Sequence, residues 1–437
     1  MKYVTGAALG VALAAGGVAA TTPGYGAPTH HAAGHAAGGG HAAAAGPIAV
    51  YWMSASTSTG MSGAGGMGAG GGRPNMAMMM RGGGFNPNAV THSLILQLGS
   101  TRHADGDPAA EHDPPGGLGA GPMLPLVTPQ AQPEHEEAPP GPPPQYQQPH
   151  GRMLIFWGCG EHAGPGQPYV IDFASLSGPD AAQRFAGLMR GIAVTPMQPP
   201  SPGRYATYGE WPNERSDSSV PSNGSLAGDH LVKGNYTPDI RFSLTPNQDF
   251  LPAFNLTTNQ KNPTGSASLG WQGMQGVQGY FATMIGAEGQ DQVVMWTSSA
   301  TQAPAFGMPD YLSDGEIARL VANHTLMPSS QTQCTIPVEA VQAAGRAGFF
   351  QLVGYGGEAN FAYPPRPPAP QPWRPEWTVK VRYRTSTGGL VGMDLGRMMG
   401  GQGDRGQGDR GDRQQQQQQP QQQHHGFGFP GLGGFLP

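Results

Sequence analysis

Charge is scarce in this chain. Only 12% of its 437 residues are Asp, Glu, Lys or Arg, and the formal net charge is −5. No basic stripe or polybasic run is present, which argues against nucleic acid and an anionic membrane surface as partners. Cysteine is scarcer still: Cys159 and Cys334 are the whole complement. No CxxC pair exists, so zinc-ribbon and thioredoxin readings are excluded. Beyond the first residues, no run is long and apolar enough to span a bilayer as a helix. What is abundant is glycine, 71 residues, and proline, 45. Together they exceed a quarter of the chain, a composition that signals low-complexity segments.

The N-terminus reads MKYVTGAALGVALAAGGVAA. Lys2 supplies a positive start, Ala7 to Ala20 a small-residue apolar stretch, and Val18-Ala19-Ala20 an A-x-A-like cleavage site. This is the pattern of a signal peptide over residues 1–20, so the chain is expected in the periplasm or at the cell surface. In an oxidising compartment two distant cysteines pair, so a Cys159–Cys334 disulfide is expected. The stretch GCGEH also admits a reactive thiol at Cys159 with His162 as base and Glu161 as orienter. Disulfide formation is the reading we carry forward.

Four segments lack helical or strand periodicity and are expected to be disordered: 21–46, a Gly/Met loop at 60–86, a Pro-rich stretch at 104–150, and a Gly/Gln-rich tail at 391–437. Between them lie apolar runs with strand character, PIAVYWMS, THSLILQLGS, GRMLIFWGC and QPYVIDFASL, which form an N-terminal β unit over 47–235. SGPDAAQRFAGLMRGI predicts a short amphipathic helix. The stretch from Pro196 to Leu231 reads as irregular. From 236 to 390 strand signals become dense, interrupted by a helix at SDGEIARLV with Ser313 and Glu316 as a capping box. In EWTVKVRYRTS, Val379, Val381 and Tyr383 alternate with Lys380, Arg382 and Arg384, the period-two pattern of a strand with one wet face.

SASLGWQGMQGVQGYFATMIG resembles the B and C strands of a fibronectin type III or related immunoglobulin-like domain. Trp271 and Tyr280 stand at the family's inter-sheet positions. The resemblance implies a mainly β fold: an antiparallel sandwich over 236–390, with a helical insertion at 310–345 and the N-terminal strands extending it or packed on it. The whole chain, through GRMLIFWGCGE, EWPNERS, LAGDH and AYPPRP, also resembles a group of exported proteobacterial proteins. That resemblance implies export and a shared core, and no activity.

Three functional readings stay open. The first is a non-enzymatic envelope protein that binds a protein or glycan and needs no cofactor. The second is copper or another soft metal, held by His30, His31, His35 and His41 with Met76, Met78, Met79 and Met80, since imidazole and thioether ligands suit Cu(I). The third is a glycan hydrolase in the loop from Glu210 to His230, with Glu210, Glu214, Asp229 and His230 as acid–base groups and Trp211 as a sugar platform.

Overall fold

The computed structural model describes residues 46–62, 89–130, 151–173, 193–216, 219–289, 291–302, 308–345, 348–368 and 371–393. All of them fall in one compact unit, Ala45–Gly408. The segments expected to be signal peptide, metal ligands, the 177–192 helix, the Gly/Met loop beyond Ser62 and the Gln-rich tail beyond Met393 lie outside the described residues.

The protein is mainly β. In chain order the strands are β1 (Ala49–Ser58), β2 (Thr91–Ser100), β3 (Ala110–Asp113), β4 (Leu124–Leu126), β5 (Arg152–Trp157), β6 (Tyr169–Asp172), β7 (Thr207–Trp211), β8 (Gly228–Gly234) and β9 (Ile240–Leu244). Then follow β10 (Leu256–Lys261), β11 (Ala267–Trp271), β12 (Val277–Glu288), β13 (Gln292–Thr297) and helix α1 (Asp314–Ala322). The chain continues through β14 (Met327–Pro328), β15 (Gln333–Ile336), helix α2 (Val338–Ala343), β16 (Phe349–Tyr363) and β17 (Trp377–Leu390). No helix among the described residues is long and apolar enough to cross a membrane.

The strands form three open sheets. The largest has ten strands, in the order β6-β5-β13-β12-β16-β17-β1-β2-β7, with β14 also paired to β12. It departs from a purely antiparallel sheet at two pairings, β1 with β17 and β13 with β5, which are parallel. The first of these joins the two segments that the sequence divides at 235/236 into one continuous sheet. The others are a three-stranded sheet, β10-β11-β15, and a four-stranded sheet, β4-β3-β8-β9. The four-stranded sheet meets the large one through Tyr51, whose ring lies 5.6 Å from His112 and 6.4 Å from Phe242. The three-stranded sheet meets it through Trp271 and Tyr280, with ring centroids 5.3 Å apart, edge to face. Both of these side chains are buried and stand on different sheets. The register carries Tyr280 through Gly354 and Thr385 to Thr57, on the same side of β1 as Tyr51. Both small sheets therefore cover one face of the large sheet, here called the inner face.

On the outer face α1 packs through Ile317 and Leu320 against Phe281 and Tyr355. Ser313 caps it, accepting a hydrogen bond from the Glu316 backbone N–H at 3.3 Å. The capping box is half closed. The Glu316 carboxylate turns instead to the Thr195 amide, at 2.8 Å, and to the Arg319 guanidinium. Cys159, just beyond β5, and Cys334 on β15 are bonded, with Cα atoms 5.0 Å apart across 175 residues of chain. A cross-link of this kind contributes about 2–4 kcal/mol, mainly by constraining the unfolded chain. Engaged in this bond, Cys159 is no thiol nucleophile, and His162 pairs with Glu339 at 3.0 Å.

Two expectations are corrected. Residues 104–130 do not read through as disordered linker: they contain β3 and β4, with Leu118, Leu124 and Leu126 buried. The stretch from Pro196 to Leu231 is not irregular throughout, since it supplies β7 at an end of the large sheet. These strands are three to five residues long, too short for a period to emerge from the sequence. Gly209 interrupts β7 for a steric reason: a Cβ there would lie 2.5 Å from the Tyr236 hydroxyl and 2.9 Å from the Leu126 carbonyl oxygen.

Candidate functional site

The loop-based site expected between Glu210 and His230 is dispersed by the fold. Trp211 points to the inner face, 2% exposed, and its indole N–H donates to Ser216 Oγ at 2.7 Å. It is core, and it offers no sugar platform. Glu210, one residue earlier on the strand, points to the outer face and accepts from the Tyr208 hydroxyl at 2.6 Å. Glu214 and Asp229 are exposed.

His230 is buried between the four-stranded sheet and β1, and it ends a polar chain. Tyr51 Oη lies 2.8 Å from His112 Nδ1, His112 Nε2 lies 2.9 Å from His230 Nδ1, and His230 Nε2 lies 2.8 Å from the Leu226 carbonyl oxygen. A carbonyl only accepts, so His230 Nε2 carries the proton. In a neutral ring Nδ1 then accepts, which requires His112 to donate from Nε2 and Tyr51 to donate to His112 Nδ1. Burial pushes both histidines below their ordinary value, His112 furthest, and holds them neutral. With both nitrogens engaged in the core, His230 is no solvent-facing base.

A concavity that could take a ligand lies elsewhere. At one end of the β1–β17–β16 ribbon is a groove of about 870 Å³. The sequence explains its position. Tyr363 and Trp377 are the last pair of the β16–β17 ladder. Beyond them the chain reads PPRPPAPQPWRPE, and proline cannot extend a ladder because it lacks the N–H. The loop leaves the sheet and turns its aromatic residues back on it. The Tyr363 and Trp377 rings stack, 5.9 Å apart and 20° from parallel. Trp377 is 7% exposed and supports from below, whereas Tyr363 is 53% exposed. Trp373 fastens the loop to itself by donating its indole N–H to the Pro364 carbonyl at 3.0 Å. The guanidinium carbon of Arg366 lies 5.5 Å from the centre of the Trp373 ring. Phe361, Phe242 and Trp52 complete the aromatic lining.

Trp52 also ends a row of stacked cations and rings along the outer face. Lys380 Nζ is 5.6 Å and the Arg382 guanidinium carbon 5.1 Å from its ring centre. Arg382 lies 4.4 Å over Tyr311, and Arg384 follows at 5.9 Å. The wet face expected for β17 is thus half-buried. Lys380 pairs with Glu358 and Arg384 with Asp310. Arg382, whose Nε donates to Ser54 Oγ at 2.7 Å, keeps its charge although burial pulls its proton affinity down. Guanidinium groups tolerate this because they are weakly hydrated and stack on aromatic faces.

The lining of the groove contains three cations, Arg241, Arg366 and Lys380, and no Asp, Glu, His, Ser or Cys. Such a set can hold and orient a ligand. Among the described residues no group of three or more His, Cys, Asp or Glu is placed to hold a metal ion.

None of the groove residues is among the site candidates that the sequence offers, although AYPPRP and EWTVKVRYRTS carry several of them. The usable signal was a Trp and a Tyr separated by a Pro-rich connection between two long strands. Such aromatic residues at a loop base are either pinned or exposed, and here they are both. No protein-family model, curated protein or solved structure matches the chain.

Proposed function

We propose that the protein is a non-enzymatic binding module of the cell envelope and that its ligand is a glycan held in the aromatic groove. One observation carries this reading: the groove combines a half-exposed stacked pair, Tyr363 on Trp377, with Trp52 and Trp373, and its lining holds no Asp, Glu, His, Ser or Cys. A pyranose ring presents a flat C–H face and a rim of hydroxyls. The face gains from an aromatic platform already held in place, and the rim is served by Asn360, Thr378 and Arg241. The volume falls within the range of roughly 300–1,000 Å³ typical of small-ligand sites. Assignment to the envelope rests on the signal-peptide reading of residues 1–20.

The test is calorimetric titration of the purified mature chain with soluble oligosaccharides chosen from a glycan array. Tyr363→Ala and Trp373→Ala should each weaken binding by about tenfold or more, the loss of one good contact. Unchanged affinity in both variants would remove the groove from the argument.

A further inference from the structure

We infer that the groove selects a carboxylate-bearing glycan, a uronic-acid polymer in chemical class, and that Arg366 is the residue that recognises the carboxylate. This inference rests on the glycan reading above and sharpens it. Its first support is the charge balance of the lining: three cations and no carboxylate. The second is how those cations are spent. Lys380 is neutralised by Glu358, and Arg241 pairs with Asp239 at 3.0 Å. Arg366 has no ion pair among the described residues.

It lies instead against the face of Trp373, which is itself anchored to the Pro364 carbonyl. A guanidinium lying on an indole presents its edge N–H groups outward, and those groups form the fork that fits a carboxylate with two parallel hydrogen bonds. The proline-flanked backbone limits how far the fork can wander, so less entropy is lost when it binds. A sugar carboxylate projects from the ring edge. A pyranose stacked on Tyr363 is the arrangement in which that edge would meet Arg366, which lines the same groove. A neutral sugar would use the same platform and leave the fork unused.

The test uses the mature chain on an array of acidic and neutral oligosaccharides, including oligogalacturonate and its methyl-esterified form, with a poly-glutamate peptide as a non-sugar polyanion. The expected result is that acidic sugars bind at least about tenfold more tightly than neutral ones, and that added salt narrows the gap. R366Q should bring the ratio of acidic-sugar to neutral-sugar affinity to about one. R374Q, a change at the other exposed arginine of the loop, should leave the preference intact. Equal binding of acidic and neutral sugars would overturn the inference and leave the glycan reading standing. Tight binding of poly-glutamate with no sugar binding would overturn both, and so would failure of every probe to bind.

Discussion

Tyr51 and Trp52 are neighbours on one strand and live in opposite regimes. Tyr51 points inward, 0% exposed, and opens a neutral chain through His112 and His230 in which every donor meets an acceptor. Trp52 points outward and is flanked by two cations. The contrast shows how a strand separates two kinds of polar chemistry by one residue. On the inner face two small sheets exclude water, and there the Tyr51 chain is a closed set. On the outer face partial hydration lets charges remain charged, provided that their stems and planes lie on rings.

The largest effect should come from the inner face. Trp271→Ala removes the side chain that wedges the three-stranded sheet against Tyr280 and should cost about 3–5 kcal/mol. Urea unfolding would measure it, and a loss below about 1 kcal/mol would mean that the small sheet is held by something other than this contact. Next comes the polar chain. Tyr51→Phe keeps the ring and deletes the donor, leaving His112 Nδ1 buried without a partner, at a cost of about 1–3 kcal/mol.

The same chain predicts acid sensitivity. Burial holds both histidines below their unfolded value of about 6.5. Below that pH the unfolded chain takes up protons that the folded one refuses. Stability contributed by the neutral pair is therefore complete above about pH 6.5 and falls with acidification, by up to about 1.4 kcal/mol per pH unit for each histidine. A double variant with both histidines replaced by phenylalanine should flatten the slope between about pH 6.5 and 5. An unchanged slope would point to other titrating groups.

The smallest effect should lie on the outer face. Arg382→Gln breaks stacking with Trp52 and Tyr311 and should cost about 0.5–2 kcal/mol. A cost as large as that at Trp271 would erase the distinction between the faces.

These differences bear on what the sequence could disclose. Alternation over β17 and the Trp271–Tyr280 spacing were legible because each is a pattern within one segment. The pairing of Cys159 with Cys334 was legible by elimination. The Tyr51–His112–His230 chain was not, since its members come from three strands that meet only in the fold, and His112 sits in a stretch that reads as linker. Nor could composition show that Lys380, Arg382 and Arg384 would be half-buried, because Trp52 and Tyr311, which shelter them, arrive from elsewhere in the chain. Glu210 and Trp211 look like one site in sequence, and strand geometry turns them to opposite faces.

The place of β17 in the large sheet has a consequence for assembly. It lies between β16 and β1, so it is the strand that joins β6-β5-β13-β12-β16 to β1-β2-β7. It is also the last strand of the described chain, and Ser54 must wait for Arg382, 328 residues later, to be met. Until β17 docks, two sheet fragments face one another with open edges of the kind that recruit other chains. Contacts this distant in sequence make folding slow. A chain that loses residues beyond Tyr363 is therefore left without the strand that completes it, and without one wall of the groove.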